Sequence, residues 1–298
     1  MSPIISRAGF SLGFGRRRNV GGGGPAFSAT GGNQTPANGL APGNGYKYHT
    51  FTSPGTFTVS SGSNTVELLV VAGGGGGGDG GGGNGGGGGG VRFYPSLTAS
   101  PGPYSITVGS GGNAAPQYDI PGTAGTPSTA FGKTANGGGH SNYAYSSVKN
   151  GGSGAATGYL VPAGTGNAGG NDPLANPVSE GNSGGPAGGG GAGDAGQPTR
   201  GGNGVAFPGF TGPLIGVPAL APLSGYYGGG GGSGFESSNS TPGGAGGGGN
   251  GASRYVPNGA VSTPGVQYSG GGGGGSSTNG TTPAKSGGSG IVIVRYLT

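Results

Sequence analysis

Two histidines, seven acidic residues and no cysteine are the groups this chain offers for acid–base or metal chemistry. A serine–histidine–aspartate relay needs a base held beside its nucleophile. Nothing near His49 or His140 suggests one: His49 falls in an alternating, strand-like stretch and His140 in a loop. Disulfides and thiolate metal sites are excluded. Asp79, Asp119, Asp172 and Asp194 stand far apart, unlike the clustered aspartates of a calcium loop. The phosphate-loop pattern comes nearest at Gly132-Lys133-Thr134, but the upstream glycine it requires is Pro127. GxGxxG matches recur, yet 89 glycines in 298 residues produce them by chance. The chain is read as non-enzymatic, with no catalytic residue, no metal ligand and no cofactor.

Recognition chemistry is better represented. The stretches 140–149 (HSNYAYSSVK), 235–240 (FESSNS), 254–258 (RYVPN) and 266–269 (VQYS), with the pair Tyr226-Tyr227, are rich in tyrosine, serine and asparagine. Tyrosine offers a large amphipathic contact at low entropic cost, and serine and asparagine supply adaptable hydrogen bonds. Tyr143, Tyr145, Tyr226, Tyr227, Tyr255 and Tyr268 are therefore candidate binding residues, with a surface glycan as one plausible target. The same tyrosines would also serve as lids packed over outer glycine segments, and the sequence leaves both readings open. A second candidate lies at the N-terminus. Residues 1–20 combine Ile4, Ile5, Phe10 and Phe14 with Arg16, Arg17 and Arg18, and no acid precedes Glu67. They read as a docking peptide or as a frayed terminus. Because the net charge of +5 is concentrated there, the body is close to neutral and no nucleic-acid role is expected.

The elements that must position these residues are strands and glycine. Only 6% of residues are charged, and the apolar residues are gathered into short blocks, so the chain is neither a polyelectrolyte nor a simple linker. Residues 46–51 alternate at period two, 56–59 resume a strand, and 65–72 (TVELLVVA) are apolar on both faces apart from Glu67. Residues 92–94, 104–108 and 291–296 (IVIVRY) complete the set, the last apolar on both faces until Arg295. Residues 73–90 are glycine except Asp79 and Asn84. Extended at about 3.1 Å per residue, they would reach about 56 Å. Glycine loses the most entropy on folding, so ordering such tracts needs a mechanism, and packed polyproline-II helices paired through backbone amides supply one. Collagen is unsuited, since no strict triplet period survives around Ala187 and Thr199. The expectation is an all-β and irregular fold: a small sheet or sandwich near 46–72, 92–108 and 291–296, closed by both chain ends. A bundle of glycine helices and almost no α-helix complete it. Residues 1–45 are assigned to a docking segment and glycine-rich linker, and 46–298 to the folded domain.

The ordered motifs GTFTV (55–59), VELLVVAGGGGGG (66–78), YSITVGSGG (104–112), GTPSTAFG (125–132) and GGSGIVIVRY (287–296) resemble the glycine-rich domain of phage tail proteins. They are also similar to tip adhesins of tail fibres built as polyproline-II bundles. The resemblance covers 46–298, while 205–227 has no counterpart in it. It implies a virion protein made in the host cytoplasm without a signal peptide and present on the extracellular particle. Other virion proteins would be held through residues 1–20, in a homo-oligomeric or multi-chain assembly. Distal loops would meet a host glycan or outer-membrane protein; a purely structural virion component is the alternative.

Overall fold

In the computed structural model, described residues are 25–80, 83–117, 120–141, 151–156, Gly181, 188–198, 200–218, 225–234, 241–253, 261–277 and 282–298. Its strands are β1 (Ser28–Thr30), β2 (Tyr46–Phe51), β3 (Gly55–Ser61), β4 (Asn64–Val71), β5 (Val91–Ala99), β6 (Gly102–Thr107), β7 (Ser128–Ala130), β8 (Lys133–Ala135), β9 (Val205–Ala206), β10 (Tyr226–Tyr227) and β11 (Ile291–Leu297). Among the described residues the complete helical elements are a 3-10 turn at Pro208–Phe210 and one short helix, α1 (Gly212–Ile215). None is long and apolar enough to cross a membrane among the described residues.

Strands β4 and β11 read as apolar on both faces because both faces are buried. The C-terminal β11 lies at the centre of a four-stranded sheet, β2-β11-β4-β5, antiparallel to β2 and β4. One face turns Val66, Leu68, Val70, Val292 and Val294 toward the five-stranded sheet β1-β3-β6-β7-β8, where Phe57, Val59 and Ile106 complete a core. The opposite face carries Leu69, Val71, Ile291 and Ile293. It is covered by 205–217, whose Phe207, Phe210, Ile215 and Val217 form a second buried cluster with Tyr48 and Tyr227. The unmatched, proline-studded stretch of the sequence is thus, over these residues, the roof of a sheet.

The fold begins earlier than the sequence pattern suggests. Residues 25–45, read as linker, contain β1, which extends the five-stranded sheet beside β3 and buries Ala29. Leu40 also bridges to Tyr48. The turn after β1 uses Gly31 and Gly32 at positive φ, so low-complexity composition hid a real strand.

His49 points into the first core from β2. It is fully buried, stacked on Tyr296 at 5.7 Å and edge-on to Phe57 at 5.0 Å, with Nδ1 2.8 Å from the Gly31 carbonyl and Nε2 3.3 Å from the Tyr296 hydroxyl. Burial first, and then Lys47, hold its imidazole below the ordinary histidine range, against the Gly31 bond. Above about pH 6.5 the ring is neutral in both folded and unfolded chains. As pH falls through that value the unfolded chain takes up a proton the folded one resists. Stability therefore drops until the native ring also protonates. The melting temperature is expected to fall between about pH 7.5 and 5, with a smaller fall in His49→Gln. Equal slopes in the two proteins would contradict this.

The glycine tracts build a lattice. In 73–78, Gly73 and Gly76 donate to Thr126 and Thr123, Gly74 and Gly77 to Gly288 and Lys285, and Gly75 and Gly78 to Gly87 and Asn84, all at 2.8–3.1 Å. Each partner recurs every third residue, the period of a polyproline-II helix. The carbonyls repeat the pattern: Gly73 and Gly76 accept from Gly138 and Ser141, Gly74 and Gly77 from Gly112 and Ala115, and Gly75 and Gly78 from Gly273 and Ser276. One run thus has six neighbours, and adjacent neighbours bond to each other (Gly125 to Gly138, Gly87 to Gly139, Gly86 to Gly273, Gly288 to Gly271, Gly287 to Gly112, Thr123 to Asn113), closing the ring. Runs 83–90, 228–234 and 270–276 are encircled in the same way. Around these four interior runs stand 109–115, 122–127, 137–141, 151–156, 188–192, 200–204, 241–245, 247–252, 261–266 and 285–290. The tract over 73–90 folds back: its arms bond to each other, and the bend lies between Asp79 and Asn84.

Candidate binding face at the open end of the lattice

The lattice has two unlike ends. At one, the runs join the sandwich directly: 72 to 73, 90 to 91, 127 to 128 and 290 to 291 are steps between strand and glycine run. At the other, outgoing runs turn or leave the described chain. There the Asp79 carboxylate accepts from the Gly80 amide at 2.9 Å, and Gly83 donates to Gly80 at 2.7 Å. Gly80 also donates to Ser276 at 3.0 Å, Ser277 to Ala252 at 3.0 Å, and Gly234 to Gly83 at 2.5 Å. The ends at 80, 234, 252 and 277 are therefore bonded into one face. Its interior is polar, with Asp79, Asn84, Ser233, Thr241, Ser253, Ser276 and Ser277 buried. Burial pushes the Asp79 carboxyl up, opposed by the Gly80 amide. Ile120 and Val261 are exposed apolar residues at this end.

Gly234 and Thr241, Ser253 and Val261, and Ser277 and Thr282 lie at this face and flank 235–240, 254–260 and 278–281, which are outside the described residues. Segment 142–150 leaves from Ser141, level with Gly76, and re-enters before Gly152, which donates to Gly137 nearer the sandwich. Tyr143, Tyr145 and Tyr255 belong to these segments and lie outside the described residues. Residues 1–24, with Ile4, Ile5, Phe10, Phe14, Arg16, Arg17 and Arg18, also lie outside them. The chain enters the fold at Pro25, against the β3–β4 turn at Gly62, on the side of the sandwich remote from the lattice.

The other three candidate tyrosines sit at the sandwich end. Tyr226 is 37% exposed on β10. Its neighbour Tyr227 is 1% exposed, with its hydroxyl donating to the Phe210 carbonyl at 2.5 Å, so it is a packing residue and not a surface contact. The correction follows from strand alternation, which sends adjacent side chains to opposite faces. Burial also raises the Tyr227 phenol above its ordinary range. Tyr268, at φ +65°, is half-buried against the second cluster. Of the three described candidates, Tyr226 alone is exposed.

Two sets of residues escaped the sequence reading. At the lattice rim, amides donate to side-chain oxygens of the adjoining run: Asn113 and Ser110 to Thr123 and Thr126 Oγ1 at 2.7 Å, and Asn250 to Thr263 Oγ1 at 2.8 Å. Ala245 likewise donates to Asn203 Oδ1 at 2.9 Å. These oxygens seal the rim as charges and bulges blunt an edge strand; their signal was threonine at three-residue spacing. The second set joins the roof to its sheet. Arg295 Nε and a terminal nitrogen donate to Glu67 Oε2 at 2.9 and 2.6 Å, while its other terminal nitrogen reaches the Gly209 carbonyl at 2.8 Å. Lone charges within apolar strands were the signal there.

Among the described residues no group of three or more histidines and carboxylates is placed to hold a metal. A search of curated proteins gives no match. Among protein families, the glycine-rich domain matches residues 49–297, nearly the whole span of sandwich and lattice. This chain belongs to the glycine-rich domain family.

Proposed function

We propose that the protein is a virion component of a phage tail, an adhesin that presents tyrosine-, serine- and asparagine-rich connections to a host surface receptor. The observation supporting this most is polarity. Gly234, Thr241, Ser253 and Val261, which flank 235–240 and 254–260, lie on the lattice face remote from the sandwich, and Pro25, the first described residue, lies on the opposite side. A glycine lattice closed by hydrogen bonds in every lateral direction is a stiff mount for such connections. The receptor classes that suit this chemistry are a glycan or an outer-membrane protein, and residues 1–20 would hold other virion proteins.

The test is the double variant Tyr143→Ala/Tyr145→Ala, assayed for adsorption of particles to host cells and for melting of the purified protein. Each recognition tyrosine at a binding hot spot contributes about 2 kcal/mol or more. Adsorption is therefore expected to fall by more than about tenfold with unchanged melting and particle yield. Lost melting would make these tyrosines lids. Unchanged adsorption would remove this segment from the binding surface, and normal adsorption with poor particle yield would favour a structural virion role.

A further inference from the structure

The chain is rich in Asn-Gly steps, the sequence most prone to spontaneous succinimide formation, because glycine leaves its own amide nitrogen unhindered. We infer that Asn44 is a site of spontaneous deamidation, and that the fold protects the other described Asn-Gly steps. In the reaction the Gly45 nitrogen attacks Asn44 Cγ, a C–N bond forms, and the side-chain amide leaves as ammonia. Water then opens the five-membered ring at either carbonyl, giving aspartate or isoaspartate. No oxidant, metal or partner is required.

Geometry singles out this step. Asn44 and Gly45 are both exposed. Gly45 has φ +82° with nothing within 4 Å of where a Cβ would stand, and its amide donates to no acceptor among the described residues. Asn44 Oδ1 accepts from the Tyr46 amide at 3.2 Å, so a donor already faces the oxygen that becomes negative during attack. Its amide nitrogen donates to the Tyr48 hydroxyl at 2.8 Å, and that hydroxyl donates onward to the Gly209 carbonyl at 3.0 Å.

The other steps are restrained. Gly39 donates to Pro36 at 2.7 Å, Gly204 to Ala245 at 2.7 Å and Gly251 to Thr241 at 2.9 Å, which removes each nitrogen from attack. Gly85 and Gly137 lie inside the lattice, where the backbone at which a Cβ would collide leaves no room to swing toward Asn84 or Asn136.

The test incubates the full-length protein at mildly alkaline pH and follows residues 38, 44, 84, 136, 203 and 250 by peptide mapping, scoring the one-dalton gain and isoaspartate separately. Asn44 is expected to convert at least about tenfold faster than the other five. In chemically unfolded protein the six rates should converge, because the restraint is structural. Asn44→Ser should abolish the fast phase and leave the other rates unchanged. A native rate at Asn44 no higher than at 203 or 250 would overturn the inference. So would a rank order that survives unfolding, since local sequence would then set the rates.

Discussion

Gly75→Ala, a single added methyl group at the centre of the lattice, is expected to destabilise the fold strongly. Its Cβ would lie 2.0 Å from the Gly139 carbonyl oxygen and 2.5 Å from its carbon. Both atoms are backbone and cannot rotate aside. Similar collisions await at Gly73, Gly74, Gly76 and Gly77, at 1.9–2.3 Å from neighbouring carbonyl oxygens. Making room means separating two runs. That loosens the amide bonds between them and, because the ring of six is closed, strains the bonds on either side. Overpacking alone costs about 1–3 kcal/mol, and each lost amide bond adds about 1 kcal/mol. The expected loss of about 3 kcal/mol or more lowers melting by roughly 6–12 °C or abolishes soluble protein. Ala124→Val is the control. Ala124 is exposed on a perimeter run, and a surface change there costs within about 0.5 kcal/mol. If Gly75→Ala melted like the control, 73–78 would be a linker and not the axis of a lattice.

The same contrast explains which parts of the fold were legible. Interior runs are those with the longest unbroken glycine: a run encircled by six others has no direction in which a side chain fits. Perimeter runs such as 122–127 and 261–266 keep glycine where they face inward and place threonine outward. Strands β4 and β11 were legible for a related reason, since apolar residues on both faces require cover on both. Neighbour identity was not legible, because one glycine amide is chemically the same as another. Nothing in 73–78 specifies 285–288 over any other run. Those choices are imposed from the ends, where 290 continues into β11 and 72 leaves β4, already paired in the sheet. The candidate face was legible in composition and not in position. Tyr226 and Tyr227 share one composition, but alternation buries one and exposes the other.

Arg295→Met should release the roof from its sheet. The guanidinium bonds Glu67 through two nitrogens and the Gly209 carbonyl through a third, and it approaches the Tyr48 hydroxyl at 3.3 Å. It also lies 4.1 Å from the Phe210 ring centre and 4.3 Å from that of Tyr46. One side chain thus ties β11 to β4 across the sheet and both to the turn at 208–210. The site is tight: a Cβ on Gly209 would stand 2.2 Å from a guanidinium nitrogen, which would have to move aside. Arg295 and Glu67 side chains are 13% and 20% exposed, so removing the cation leaves a carboxylate that water reaches poorly. Breaking a fully buried pair costs about 3–5 kcal/mol, and the remaining access to water places this one near the lower end, about 3 kcal/mol. Methionine retains the apolar stem, so the loss reports the charge and its bonds more than the volume. Faster hydrogen exchange and proteolysis confined to 205–217, with the first core still protected, would identify the roof as what opens. Glu67→Leu combined with Arg295→Met then separates the two contributions. Removing both charges eliminates the stranded carboxylate, and stability should recover by more than half. Failure to recover would mean that the bond to Gly209, and not the ion pair, holds the roof in place.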